Sequence, residues 1–370
     1  MHVEPPDDCG ARMFERPPFE LDHERKRSLL LPELLRLTAW HAERCPPYAA
    51  LLRTLRVTAT DIRRLEDLCY LPVRLFKLME LQSVSPDEVF KVLLSSGTTS
   101  QIPSRIVLDK ITAQAQTRAL AVILGDFLGK KRLPMVICDN PAVLRDRAAH
   151  TARGAGILGM SVFGRDHFYV LDEQMDLRLD ALLTYLESHA GEAVFFFGFT
   201  FMIWQHLIEA LQRRQMRLPS SNGVLIHGGG WKALSERAVD NVQFKAAARD
   251  VLGVSRVHNF YGMVEQVGSI YMECEEGHLH APAFAEVLVR DFRDWSLLPR
   301  GKEGVLQTLS ILPRSYPGHS LLTEDLAVVL GEDDCPCARK GTYFAIRGRI
   351  PSAELRGCSD TYAANAVLPS

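Results

Sequence analysis

Five short apolar runs, each emptying into a glycine-rich or polar loop, constrain this chain more than any other feature. Val92-Leu-Leu94 enters Ser95. Pro134-Met-Val-Ile-Cys138 enters Asp139-Asn-Pro141, and Ala193-Val-Phe-Phe-Phe197 enters Gly198. Gly223-Val-Leu-Ile226 enters His227-Gly-Gly-Gly230, and Ser255 to Phe260 enters Tyr261-Gly262. Runs of this length, bounded by such residues, read as strands. Leu234, Val239, Val242, Ala246 and Val251 keep a helical spacing that stops at Gly253, a helix-ending residue. Strands alternating with helices predict an α/β fold. In such sheets ligands bind beyond the carboxyl ends of the strands, so the loops after these runs are expected to gather around one cleft.

The first ~90 residues read differently. Leu29, Leu30, Leu34, Leu35 and Leu37 fit an amphipathic helix, as do Leu51, Leu52 and Leu55, until Pro72-Val-Arg-Leu-Phe76 breaks the pattern. The expected organisation is a mostly helical lobe over residues 1–90, a core over 91–347 and a tail over 348–370. With 370 residues the chain is long enough for a substantial core. Its net charge of −2 carries no basic excess, so neither nucleic acid nor an anionic membrane is an implied partner. The N-terminus is acidic and Pro-rich and does not read as a signal peptide. The longest apolar run, Ala193 to Trp204, is too short to span a bilayer, so no integral membrane segment is expected. It reads as buried core or as the wall of an acyl pocket. Eight cysteines at irregular spacing point to a cytoplasmic protein with reduced thiols rather than a disulfide scaffold. Cys9, Cys45, Cys69 and Cys138 read as core or surface residues.

Several loops carry residues suited to chemistry. Ser95-Ser-Gly-Thr-Thr-Ser100 sets five hydroxyls around Gly97, a cradle for nucleotide phosphates; the same composition also makes a plain polar loop. It is not a Walker loop. His227-Gly-Gly-Gly230 lets backbone approach a flat ligand such as adenine, or is simply a strand-to-helix turn. Tyr261-Gly-Met-Val-Glu265 offers an aromatic face and a carboxylate for Mg2+; Tyr261 also reads as a core aromatic. Asp325 suits two ribose hydroxyls, or is a turn or cap residue.

The order and spacing of these motifs resemble the adenylate-forming superfamily of acyl-CoA synthetases, luciferases and adenylation domains. The family's serine-glycine-threonine-threonine phosphate loop is matched by Ser96, Gly97, Thr98 and Thr99. Its tyrosine-glycine-x-threonine-glutamate motif is matched by Tyr261 to Glu265, with Val264 in place of threonine. Its threonine-glycine-aspartate is matched by Thr323 to Asp325, with Glu324 in place of glycine. Its glycine-arginine is matched by Gly348-Arg349. The resemblance implies an adenylate-forming core of parallel or mixed sheets flanked by helices, binding ATP and Mg2+. It implies adenine contacts from Gly229 and Tyr261, ribose contacts from Asp325 and Arg349, Mg2+ on Glu265, and Gly230 and Gly262 among the other ATP-binding residues. Ser100-Gln101 departs from the glycine and lysine usual further along the phosphate loop. The chain stops at Ser370, so the mobile C-terminal lid domain of the superfamily is expected to be lacking.

Within that superfamily, four phrases are similar to the acyl-protein synthetase (long-chain fatty acid–luciferin-component ligase) family of bacterial bioluminescence. They are Leu71-Pro-Val-Arg-Leu-Phe-Lys77, His227-Gly-Gly-Gly-Trp-Lys232, Tyr261-Gly-Met-Val-Glu-Gln266 and Glu354-Leu-Arg-Gly-Cys-Ser-Asp360. The likeness runs from about residue 20 to 362. It implies that Cys358 accepts the acyl group as a thioester. The partner it implies is an acyl-accepting protein such as a thioester-forming reductase or a carrier. The chemistry agrees, because a thiolate is a strong nucleophile toward a mixed anhydride. Arg356 would lower the thiol pKa and Asp360 would oppose it. A buried structural cysteine is the plain alternative.

Cys274, His280, Cys335 and Cys337 form a second candidate cluster. Three thiols and an imidazole suit a closed tetrahedral structural zinc site, with His278 a competing ligand. Phenylacetate-CoA-ligase-like relatives carry a similar pair of segments. Two unrelated turns with incidental cysteines would look the same in sequence.

The expected function is ATP-dependent activation of a carboxylic acid, fatty or aromatic, to an acyl-adenylate, then transfer to Cys358 and on to a partner protein. A CoA or carrier-protein ligase that transfers the acyl group directly is the first alternative. A non-catalytic, degenerate adenylation-fold module is the second.

Overall fold

A computed structural model of the chain describes residues 13–58, 61–95, 102–144, 152–219, 222–231 and 239–350. These pack as two compact units. One holds the described residues of 1–94, 102–126 and 262–354, and the other those of 95–101 and 127–261.

The first unit begins with helix α1 (His23–Arg44). The Asp22 side chain caps it by accepting from the Arg25 N–H at 2.9 Å. Leu30, Leu34 and Leu37 turn inward, whereas Leu29 is 42% exposed; the leucine spacing of the sequence marks one buried stripe. α2 (Pro46–Thr54) follows directly, with proline in its first turn. From 61 to 90 there are only short pieces, strand β1 (Leu71–Pro72) and the one-turn helix α3 (Leu75–Leu78) among them, because Pro72 interrupts the helical pattern. Strands β2 (Lys91–Leu94) and β3 (Arg105–Leu108) form an antiparallel pair, and α4 (Lys110–Leu128) follows.

The second unit is a parallel sheet. Its strands are β4 (Leu133–Ile137), β5 (Gly164–Tyr169), β6 (Phe195–Phe199), β7 (Gly223–Gly228) and β8 (Val254–Tyr261), in the spatial order β5-β4-β6-β7-β8. Helices α5 (Ala152–Ser161), α6 (Leu179–Ser188) and α7 (Asn241–Leu252) alternate with them. This is a doubly wound order whose winding reverses between β4 and β6. Every residue of β6 and β7 is buried, as parallel strands covered on both faces require. The α7 helix starts at Asp240, which accepts from the Gln243 N–H at 2.8 Å, and stops at Gly253 with φ 68°. Residues 234–238 of the predicted helix lie outside the described residues. After β6 a helical stretch contains a π turn over Ile203–Ile208, a rare form.

The rest of the first unit is antiparallel. Strands β9 (Tyr271–Glu273), β10 (Leu279–His280), β11 (Ala285–Arg290), β12 (Glu303–Ser310), β13 (Ser320–Glu332) and β14 (Thr342–Arg349) run in the order β11-β12-β13-β14-β10-β9. β1 adds in parallel to the start of β13. Lys26 of α1 meets Glu286 of β11 at 3.1 Å, both buried. Burial opposes the Glu286 charge, yet Lys26 and the Val287 N–H hold the carboxyl below its usual range. No helix among the described residues is long and apolar enough to cross a membrane.

Three fully buried histidines stay neutral in the folded chain. Burial pushes His227 and His319 down to about 3. It also pushes His41 well below its ordinary value, with His319 adding to the effect. The His41 and His319 rings stack 5.0 Å apart. His41 Nε2–H donates to the Pro313 carbonyl at 3.1 Å, so its Nδ1 accepts from Ser83 Oγ at 2.7 Å. Above about pH 6.5 both folded and unfolded states are neutral at these sites. Below it the unfolded chain takes up protons that the folded one refuses, at about 1.4 kcal/mol per pH unit per histidine. The urea midpoint should therefore fall between pH 7.5 and pH 5.5, and fall less in His319→Gln. Equal slopes for the variant and the parent would show that His319 is protonated while folded.

Candidate functional site

In the first unit, β13 and β14 place Asp325 directly opposite Arg349. Arg349 Nε donates to Asp325 Oδ1 at 3.2 Å. The Asp325 side chain is 16% and the Arg349 side chain 37% exposed, so both are within reach of a ligand. Thr323 fixes the local backbone. Its hydroxyl donates to the Leu306 carbonyl at 2.9 Å and accepts from the Asp325 N–H at 3.1 Å. Glu324, where glycine was the family norm, lies 3.8 Å from Arg74. Asp325 is thus a strand residue with a cross-strand cation, not a turn or cap.

Glu265 sits in a short 3-10 turn, Val264–Gln266, and is 6% exposed. The turn is held through its neighbours. Gln266 Nε2 donates to the carbonyls of Thr308 and Gly318 at 3.2 and 3.1 Å, and the Val267 N–H donates to Tyr316 Oη at 3.1 Å. A carboxylate held in this way suits a hard divalent cation such as Mg2+.

The second unit holds the glycine turn. A Cβ on Gly228 would lie 2.5 Å from the Phe260 ring, which pairs with it across β7 and β8. Gly229 has φ 77° and lies against Phe199, a conformation that favours glycine. A Cβ on Gly230 would meet nothing within 4 Å among the described residues. Tyr261 ends β8 half-buried. Sequence reasoning missed Thr200, whose hydroxyl reaches the Gly229 carbonyl at 2.8 Å and His227 Nδ1 at 2.9 Å. Its only sequence signal is its place just after an apolar strand.

The two halves of the Cys/His cluster come together in the first unit. Cys274, His280, Cys335 and Cys337 each present a ligand atom, and these atoms all lie within 4.8 Å of one another. Cys337 Sγ lies 3.4 Å from His280 Nε2 and Cys335 Sγ 3.9 Å from Cys274 Sγ. His278 Nδ1 is 3.3 Å from Cys335 Sγ, outside that four-residue set. Tyr343, which carries no sequence signal, stacks on both His278 and His280. Burial, then the Arg339 charge, pushes His280 down to about 3, so its ring is neutral, the ligand form. Burial pushes the Cys335 thiol up to about 12 and raises Cys274. A bound dication would reverse that and hold them as thiolates. Three sulfurs and one imidazole nitrogen fit zinc.

Ser96, Gly97, Thr98 and Thr99, and also Cys358, lie outside the described residues. Of the others, Gly262, Glu265, Asp325, Arg349 and the Cys/His cluster fall in the first unit, and Gly229, Gly230 and Tyr261 in the second.

Comparison with known proteins gives the family and the fold. The family described as "Acyl-protein synthetase, LuxE" matches residues 7–366. The chain is 22% identical over 311 residues to the long-chain-fatty-acid–luciferin-component ligase of Vibrio harveyi, covering 80% of this chain and 78% of that protein. A 2-hydroxyisobutyryl-CoA ligase, solved in an open conformation with 2-HIB-AMP and CoA, has a similar fold. The TM-score is 0.68 at 18% identity, over 91% of this chain and 78% of that one. The same ligase solved in the thioesterification state gives a TM-score of 0.65 at 18% identity, over 95% and 74%. Since the family match runs through the strand-end motifs and the Asp325–Arg349 strand pair alike, the chain belongs to the acyl-protein synthetase family, ATP-dependent ligases on an adenylate-forming core.

Proposed function

We propose that this ligase activates a carboxylic acid as its acyl-adenylate, stores the acyl group on Cys358 and hands it to a partner protein. The observation that carries this reading is the extent of the family match, residues 7–366, which takes in both the nucleotide motifs and Cys358. A substrate carboxylate oxygen attacks the α-phosphorus of ATP and the bond to the β-phosphate breaks, releasing pyrophosphate. The Cys358 thiolate then attacks the acyl carbon and AMP leaves with the electron pair of the C–O bond. A thiolate on the partner displaces Cys358 in turn. In this reading Asp325 and Arg349 hold the ribose, Gly229, Gly230, Tyr261 and Gly262 flank the adenine, and Ser96 to Thr99 cradle the phosphates. Glu265 holds Mg2+, which would neutralise charge on the phosphates. The name of the Vibrio harveyi relative supports a long-chain fatty acid and a protein acceptor; an aromatic acid fits the same chemistry. A cytoplasmic location fits the reduced, unpaired cysteines among the described residues.

Glu265→Gln should lower acid-dependent ATP–pyrophosphate exchange about 100-fold, the loss of ~2.7 kcal/mol of transition-state stabilisation. Exchange at the parent rate would remove this residue from the metal site.

Cys358→Ser should still form acyl-adenylate from labelled acid and ATP but carry no hydroxylamine-labile thioester. Acyl transfer to CoA that survives the substitution would favour the direct ligase reading. That reading draws on the CoA seen in the similarly folded ligase.

The Cys/His cluster should hold about one zinc per chain as a closed structural site. Elemental analysis of protein never exposed to chelator checks this, and Cys335→Ser should lose the metal along with several degrees of thermal midpoint. Metal-free protein of unchanged stability would refute it.

A further inference from the structure

The residue after β6 controls the direction of a backbone donor. Thr200 is 6% exposed and its hydroxyl has three neighbours: the Gly229 carbonyl at 2.8 Å, the Gly228 carbonyl at 3.2 Å and His227 Nδ1 at 2.9 Å. A hydroxyl has one hydrogen to give. With His227 Nδ1–H donating to Thr200 Oγ1, the hydroxyl hydrogen goes to the nearer carbonyl, Gly229, and the chain of donors closes. The His227 ring is neutral in this arrangement and its centroid lies 4.3 Å from that of Phe244, with the rings tilted by 34°. A Cβ would meet the Phe260 ring at Gly228 and the Phe199 ring at Gly229, so neither position readily accommodates a side chain.

A trans peptide is planar, with C=O and N–H on opposite sides. The Gly229 carbonyl points in toward buried Thr200, so the N–H of Gly230 points the other way. Gly230 is exposed and has open space at its Cβ position.

We propose that Thr200 is a positioning residue for the nucleotide: by holding the Gly229 carbonyl inward it turns the Gly230 N–H outward, as a donor to a ring nitrogen of adenine. This rests on the reading of Gly229 and Gly230 as the adenine wall. Thr200 touches no substrate itself. Without its hydroxyl the Gly229 carbonyl loses its partner and the peptide is free to rotate, since glycine on both sides tolerates the flip.

The test is steady-state pyrophosphate exchange on full-length Thr200→Val and Thr200→Ser, with ATP binding measured by calorimetry. Thr200→Val should raise the KM and Kd for ATP roughly tenfold, about 1.4 kcal/mol, leaving kcat and the acid KM within about twofold of the parent on the same scale. Thr200→Ser keeps the hydroxyl and should restore ATP affinity. If the valine variant does not fold, Thr200→Ala carries the same comparison. A folded valine or alanine variant with parental ATP affinity overturns the inference. So do an equal rise in both KM values, or unfolding of both variants while serine folds, because each is what a merely structural threonine gives. Wild-type protein that binds no ATP would sink the nucleotide reading itself. Wild-type binding with an unaffected valine variant would sink the Thr200 inference alone.

Discussion

The register between β13 and β14 is the interaction on which most of the first unit's chemistry depends. At the open end of this hairpin the register sets Asp325 against Arg349. At its closed end the connection carries Cys335 and Cys337, and β14 pairs His280 of β10 with Tyr343. A slip of one residue turns every side chain of a strand to the other face. It would part Asp325 from Arg349 and draw the two thiols away from Cys274 and His280. The register also shifts twice along the hairpin, between Leu326 and Ala327 and between Val329 and Gly331. Irregular pairing of that kind bends and twists the ladder locally. A metal at the closed end would add a constraint on this register from outside the ladder, far along the strands from the Asp325–Arg349 pair.

The second unit solves the placement problem by sterics. Gly198 has no room for a side chain, since a Cβ there would lie 2.8 Å from that of Cys138, and Gly228 none because of Phe260. Gly229 is needed for its backbone angle and Gly230 is needed for neither reason. The three consecutive glycines therefore do three different things. Gly228 is buried in the strand, whereas Gly229 and Gly230 are exposed. A site that must lie close to a flat ligand benefits from the open space at Gly230.

Much of this was legible in the sequence. The five apolar runs all became strands; β6 and β7 are buried throughout, whereas β2 (Lys91–Leu94) is exposed at both ends and is held by its pairing with β3. Gly253 ends its helix and the Leu30-Leu34-Leu37 stripe is buried, as local chemistry dictates. The boundaries moved where tertiary packing decided them. The β6 strand runs on through Gly198 to Phe199, and the helix after it contains a π turn that no spacing rule announces. The partnership of Cys274 and His280 with Cys335 and Cys337 rests on pairings of β10, β13 and β14 across about sixty residues of chain, and composition alone left it open. Thr200 was invisible for another reason. A lone threonine is ordinary, and what makes it consequential is the left-handed glycine 29 residues later.

The thiols of this chain are sorted by environment in a way that matters for an enzyme handling a reactive acyl-adenylate. Only a thiolate attacks such an anhydride at a useful rate. Burial raises the Cys45, Cys69 and Cys138 thiols above their ordinary value, and Cys138 most, with Asp139 adding to it. Each is therefore protonated at neutral pH, and Cys45 and Cys138 are also buried. Cys274 and Cys335 are raised for the same first reason. In a zinc site they would be thiolates, but with their lone pairs committed to the metal and no open coordination position. Either way these five sulfurs are poor acyl acceptors. Misdirected acylation inside the fold would strand the substrate on a thiol that no partner reaches. In the proposed transfer, keeping these thiols protonated or metal-bound would leave Cys358 as the acceptor. Beside it in sequence, Arg356 would favour the thiolate and Asp360 would oppose it.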